Sequence, residues 1–146
     1  MTENLKRLYH EIIKKHNDDP YHFEKRIGEK ETIKAYNPVC GDRFELYLQW
    51  DARQVLQFHF HGFGCAISKA STSLLAKTIE GKSPGAALII CNNFLRYVKN
   101  ELKKGEGVMS PQFLAFAALQ EYPERYDCAT LSWIGLRAYL EKLTLE

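Results

Sequence analysis

The sequence predicts an α+β domain: a small antiparallel sheet of about three strands, packed by helices on one face. Two observations carry this. Apolar residues alternate with period two over 43–61, and from about residue 66 onward the period is helical. Strands gathered ahead of a run of helices belong to α+β rather than to an alternating parallel sheet. A third observation bounds the size. The chain has 146 residues, 45% hydrophobic and 26% charged, which reads as one domain, 1–146, with a core of its own.

The first element is an amphipathic helix over 3–17, with Leu5, Leu8, Tyr9, Ile12 and Ile13 on one face. Asn17-Asp18-Asp19-Pro20 stops it, and residues 21–31 read as a charged loop entering an edge segment at Thr32–Tyr36. Asn37 to Asp42 is a loop built on Pro38 and Gly41. Phe44, Leu46, Leu48 and Trp50 then oppose Arg43, Glu45, Tyr47 and Gln49, giving a strand with one buried face. A turn at 51–54 leads to a second strand, where Leu56, Phe58 and Phe60 oppose Gln57, His59 and His61. His59 and His61 therefore read as part of a solvated strand face.

Gly62-Phe63-Gly64-Cys65 breaks that strand. A helix runs from about Ala66 to a stop at Gly81, with Ser68, Ser71 and Ser73 on its surface or bonded to neighbouring backbone. Ser83-Pro84 opens the next, which carries Cys91 on its apolar face and ends in Lys103-Lys104-Gly105. Met109-Ser110-Pro111 caps a short helix, 112–120. Tyr122-Pro123 breaks the chain, and a last helix runs from Arg125 or Cys128 through Leu143.

Composition excludes several classes. A net charge of +2 carries no nucleic-acid argument. No stretch approaches the roughly 20 apolar residues of a membrane helix. The first sixteen residues lack the apolar core of a signal peptide, so the expected compartment is the cytosol. In a reducing compartment four cysteines read as metal or catalytic residues before disulfides.

Cys40, Asp42, Cys65 and Cys128 each fall at an element boundary, where side chains converge at one end of a sheet. Three thiolates and a carboxylate complete a tetrahedral zinc shell, and three soft sulfurs also suit an Fe–S cluster or Cu(I). The spacing contains no Cys-x-x-Cys pair, so buried apolar cysteines and a turn aspartate fit it as well. Cys65 and Cys128 at helix N-termini meet the positive end of the macrodipole, which lowers a thiol pKa.

Three stretches taken in order are specific: Tyr36-Asn-Pro-Val-Cys-Gly-Asp42, Gly62-Phe-Gly-Cys-Ala-Ile-Ser-Lys-Ala-Ser71 and Arg125-Tyr-Asp-Cys-Ala-Thr-Leu-Ser-Trp133. They resemble the IscU/NifU-like iron–sulfur cluster assembly family, and within it the SufU branch. Residues 99–122 look like the helical insertion of that branch, and Arg125 matches its Arg ahead of the last Cys. Asp127 departs from both patterns, standing where scaffold-type members have His and SufU-type members Lys.

The resemblance implies a zinc-dependent sulfur acceptor. It would take persulfide sulfur from a PLP-dependent, SufS-type cysteine desulfurase and pass it to the downstream Fe–S assembly machinery. Cys40, Asp42, Cys65 and Cys128 become the Zn²⁺ ligands, Cys40 the acceptor thiol and Arg125 a residue beside the site. Zinc keeps thiols deprotonated, so a ligand released from it begins as a thiolate. Tyr36 and Phe63 flank the site, where they shield it or meet the partner. Two further readings stand beside this one: a scaffold on which an Fe–S cluster is assembled on the same ligands, and a structural zinc module that docks other proteins.

Overall fold

In the computed structural model the described residues are 3–28, 31–50, 55–101 and 111–144. The opening helix, α1 (Glu3–Asp18), buries Tyr9, Ile12 and Ile13 on the face its periodicity assigns to the core, and also His16, which that pattern does not include. Strands β1 (Glu31–Asn37), β2 (Asp42–Trp50) and β3 (Val55–Phe63) form one antiparallel sheet in the order β1-β2-β3. The register pairs Ala35 with Phe44 and Leu46 with Phe60. It sets Phe44, Leu46, Leu48, Phe58 and Phe60 on the inner face, all buried. Each such side chain contributes about 1.5–3 kcal/mol on burial, and a one-residue slip would turn the whole set outward.

The outer face departs from the sequence expectation at two places, because Tyr47 and His59 are buried there. Residues 21–26 are not a free loop. The Phe60 N–H donates to His22 O at 3.1 Å and the Glu24 N–H to Phe60 O at 2.9 Å, so this segment covers the outer edge of β3. The His22 ring stacks on His59 at 4.6 Å, and Arg26 Nη2 donates to His59 Nε2 at 2.9 Å. His61 is half-buried against the ring of Phe23. The histidine face is thus a covered face, and burial pushes the His59 pKa down, with Arg26 and His22 adding to the shift.

Helix α2 (Ala66–Ile79) is the centre of the helical layer and is buried on nearly every side. Its serines are interior rather than surface residues, though they do bond to neighbouring groups. Ser71 Oγ donates to Ala129 O and accepts from Trp133 Nε1 at 2.9 Å. Ser73 Oγ accepts the Tyr21 N–H at 2.7 Å and lies 2.7 Å from His16 Nδ1. Thr72 Oγ1 reaches Ser68 O and Ser132 Oγ. Small polar side chains let α1 and α5 approach α2 closely while their hydroxyls pair across the seam.

Helix α3 (Pro84–Val98) opens on Ser83, whose Oγ accepts the Ala86 N–H at 3.2 Å. It ends at Val98, earlier than the Lys103-Lys104-Gly105 signal, which lies outside the described residues, as do the 51–54 turn and Met109-Ser110. Asn100 takes a left-handed conformation, φ 62°, and the Glu101 N–H returns to Arg96 O at 2.8 Å, closing the helix in the Schellman manner. Cys91 is fully buried, and desolvation pushes its thiol up to about 12.

The single short helix expected at 112–120 is α4 (Pro111–Ala115) followed by a 3₁₀ turn, Phe116–Glu121, and a second, Pro123–Arg125. Winding with three residues per turn puts Phe116 and Leu119 on the same buried side. Helix α5 (Tyr126–Thr144) packs on β1 and β2, while α2 packs on β3. No helix among the described residues is long and apolar enough to cross a membrane.

Candidate metal centre

The β1–β2 hairpin delivers the first two residues. Asn37 pairs with Asp42, the Gly41 N–H donates to Asn37 O at 2.8 Å, and the Val39 N–H donates to Asn37 Oδ1 at 3.1 Å. Gly41 has φ +75°, a conformation that glycine adopts without strain. The turn leaves Cys40 exposed at its tip and sends Asp42, 1% exposed, into the protein.

The β3–α2 junction supplies Cys65. At Gly62 a Cβ would stand 1.9 Å from Arg43 O, and at Gly64 one would stand 2.3 Å from Ser68 Oγ and 2.7 Å from the Phe44 ring. Only glycine lets this segment lie against β2. That close approach brings the Cys65 N–H to Asp42 Oδ1 at 3.1 Å. The Cys65 thiol caps α2, accepting the Ser68 N–H at 3.4 Å. Cys128, 8% exposed in the first turn of α5, closes the group.

Cys40, Asp42 and Cys128 offer ligand atoms that all lie within 4.8 Å of one another, and the Cys40 and Cys128 sulfurs are 3.8 Å apart. Cys65 stands beside this trio rather than in it, its sulfur turned toward the α2 N-terminus. Asp42 Oδ2 is buried and has no hydrogen-bond partner among the described residues. A buried carboxylate oxygen without a donor, next to two thiols, is the arrangement a cation would complete. The donor chemistry, sulfur with one carboxylate, fits Zn²⁺ or an iron–sulfur cluster rather than Mg²⁺ or Ca²⁺.

The expected lowering of the Cys128 pKa is reversed. Burial pushes its thiol well above the ordinary range, and the neighbouring Asp42 and Cys65 push in the same direction.

Arg125 lies half-buried just before α5. Its guanidinium carbon sits 4.2 Å from the ring centroid of Tyr122, and its charge acts on the buried Tyr9 hydroxyl. Tyr9 reads in the sequence as one more apolar helix residue, and Tyr122 as a breaker. The only available signal was a hydroxyl on an otherwise apolar stripe. Asp127 is exposed and stands outside the trio, lining a shallow cleft with Asn37, Pro38 and Thr130. Around the mouth stand Val39, 92% exposed, Phe63, 76% exposed, and the partly exposed Tyr36. The Arg43 guanidinium lies 5.4 Å over the Tyr36 ring.

Comparison with known proteins places this geometry among relatives. The family model of the NifU-like N terminal domain matches residues 8–129. The chain is 30% identical over 139 residues to the zinc-dependent sulfurtransferase SufU of Bacillus subtilis, covering 95% of this chain and 93% of that protein. It is 29% identical over 138 residues to the iron–sulfur cluster assembly scaffold protein IscU of Streptococcus pyogenes, covering 94% of this chain and 86% of that one. A crystal structure described as a SUF-system assembly scaffold protein, from Fervidobacterium islandicum, superposes with a TM-score of 0.82. It shares 29% identity, and the match covers 92% of this chain and 97% of that one.

Proposed function

This chain belongs to the NifU-like N-terminal domain family of iron–sulfur cluster assembly, and from that premise we propose that it is a zinc-dependent sulfur acceptor. In this reading it takes persulfide sulfur from a PLP-dependent, SufS-type cysteine desulfurase in the cytosol. It then hands the sulfur to the assembly machinery. The observation that carries the reading is the unequal exposure of the site: Cys40 is open on a hairpin tip, while Asp42 and Cys128, its neighbours within 4.8 Å, are buried.

Asp42, Cys65 and Cys128 would be the residues that hold the zinc in this scheme. Bound there, zinc would keep the thiols deprotonated at neutral pH. Cys40 is the nucleophile. Its thiolate attacks the outer sulfur of the donor persulfide, a new S–S bond forms at Cys40, and the donor cysteine departs as thiolate. No oxidant enters, because the transferred sulfur is already at the persulfide level. Arg125 supplies positive charge beside the sulfur anions. Val39, Phe63 and Tyr36 form an apolar rim suited to the desulfurase surface around its active-site entrance.

A persulfide-transfer assay with a SufS-type desulfurase tests this. Cys40→Ala is expected to abolish sulfur acceptance and stimulation of cysteine turnover, while the protein keeps its fold. Cysteine turnover at the wild-type level in that variant would sink the acceptor role.

The scaffold reading is favoured by the likeness to the Streptococcus IscU, whose name describes that role. The two diverge on purification in air. A colourless protein with stoichiometric zinc supports transfer, and a brown chromophore passed on to an apo acceptor supports assembly on this chain.

A further inference from the structure

Tyr9 carries a buried hydroxyl on which the Arg125 side chain acts, yet which closes no hydrogen bond among the described residues. Its ring is held on two sides, edge-on to Phe116 at 5.5 Å and stacked with Tyr122 at 6.1 Å, and the residue is fully buried. Its hydroxyl is among the buried polar atoms without a hydrogen-bond partner. Phenylalanine would fill the same space without desolvating a hydroxyl, so packing alone does not account for tyrosine here.

What surrounds that hydroxyl suggests its use. The Arg125 guanidinium lies against Tyr122, the ring that also stacks on Tyr9. Burial pushes the Tyr9 phenol up, Arg125 pulls it back, and the Cys65 thiol acts on it as well. Tyr9 and Arg125 therefore share the Tyr122 ring, and Arg125 lies in the turn that leads directly into the first turn of α5, where Cys128 stands. Phe116 and Tyr122 fix the ring, so the hydroxyl points in one direction.

We propose that Tyr9 is a positioning residue for Arg125: its hydroxyl accepts a guanidinium N–H and holds that cation toward an anionic sulfur, thiolate or persulfide, in the cysteine cluster. The inference rests on the sulfur-acceptor reading and deepens it. A phenol suits the task, since it accepts from the guanidinium and still has a proton to donate to a sulfur anion. Seated among aromatic rings, it is shielded from water, where a hydrogen bond to a charged group is strongest.

The test is single-turnover sulfur transfer from a persulfide-loaded SufS-type desulfurase to wild type, Tyr9→Phe, Arg125→Gln and the double variant. Zinc content and melting temperature are measured on each. Tyr9→Phe is expected to slow transfer about tenfold, the size of one lost charge-assisted hydrogen bond. Its zinc content should be unchanged, because Tyr9 is not among the residues that would hold the metal. The double variant should be no slower than Arg125→Gln alone. A Tyr9→Phe rate equal to wild type overturns the inference and leaves the acceptor reading standing. So does lost zinc, which would make Tyr9 structural, or a full additional loss in the Arg125→Gln background. A wild-type chain that takes no sulfur overturns the acceptor reading itself.

Discussion

The seam along α2 and the cysteine end of the sheet both bury polar side chains, yet they treat them differently. In the seam, Ser71, Thr72 and Ser73 find partners on α1, α5 and the segment between α1 and β1. At the cysteine end, Asp42 Oδ2 is buried without a hydrogen-bond partner among the described residues, and so is Tyr9 Oη between Phe116 and Tyr122. Two other orphans, His16 Nε2 and Arg26 Nε, belong to side chains already bonded through another nitrogen. Evolution of a stable interior pairs its polar groups, so a site that leaves acceptors open is one arranged for something that arrives later. The two buried cysteines repeat the contrast. Cys91 is wrapped in apolar side chains, whereas Cys128 faces a sulfur at 3.8 Å.

Three measurements press on this contrast. The largest effect is expected from removing zinc. If the open acceptors at the cysteine end are closed by tightly bound metal, chelation should lower the melting temperature by roughly 10 °C for a domain of this size. An unchanged melting curve would make the orphaned carboxylate oxygen a defect rather than a ligand. Next comes Ser73→Ala. It strips the Tyr21 N–H and His16 Nδ1 of their shared partner, at a cost of about 1–3 kcal/mol. Zinc content should not change, and coupled loss of zinc would show that seam and site are one unit.

The smallest effect is that of pH on the covered histidine face. The His59 pKa is lowered by burial, then by Arg26 and His22, with Glu24 and Glu80 opposing. A lowered histidine pKa means the unfolded chain takes up the proton first. Stability is therefore full above the unfolded value of 6.5 and falls as pH drops from there toward the folded value. His16 shifts the same way through burial. Melting temperature should fall over that window, and His59→Gln should reduce the slope; an identical slope would mean that the face is not held by neutral His59.

Much of this was legible in the chain because it is local. Alternation at Phe44, Leu46 and Leu48 named the inner face of β2, and Ser83-Pro84 and Gly81 marked helix ends that the structure shows. Helix α5 begins at Tyr126, within the expected range. His59 was not legible, because alternation reports which side a residue faces and not whether a distant segment covers that side. For the α2 serines the backbone-bonded alternative held and the surface one did not, for the same reason. Polar residues at helical spacing look like a solvent face unless partners such as Trp133 and His16 are known to stand opposite.

By itself the sequence determined the family and the α+β class, and it singled out Cys40, Asp42, Cys65 and Cys128. These rest on local pattern and on motifs in order, which need no knowledge of distance. Only the tertiary structure decided how those four divide. It put Cys40 outside, Asp42 and Cys128 inside within 4.8 Å, and Cys65 to one side, capping α2. It also set Tyr9 and Arg125, distant in the chain, against the same Tyr122 ring. Burial and proximity are properties of packing between segments far apart in the chain, and no local pattern encodes them.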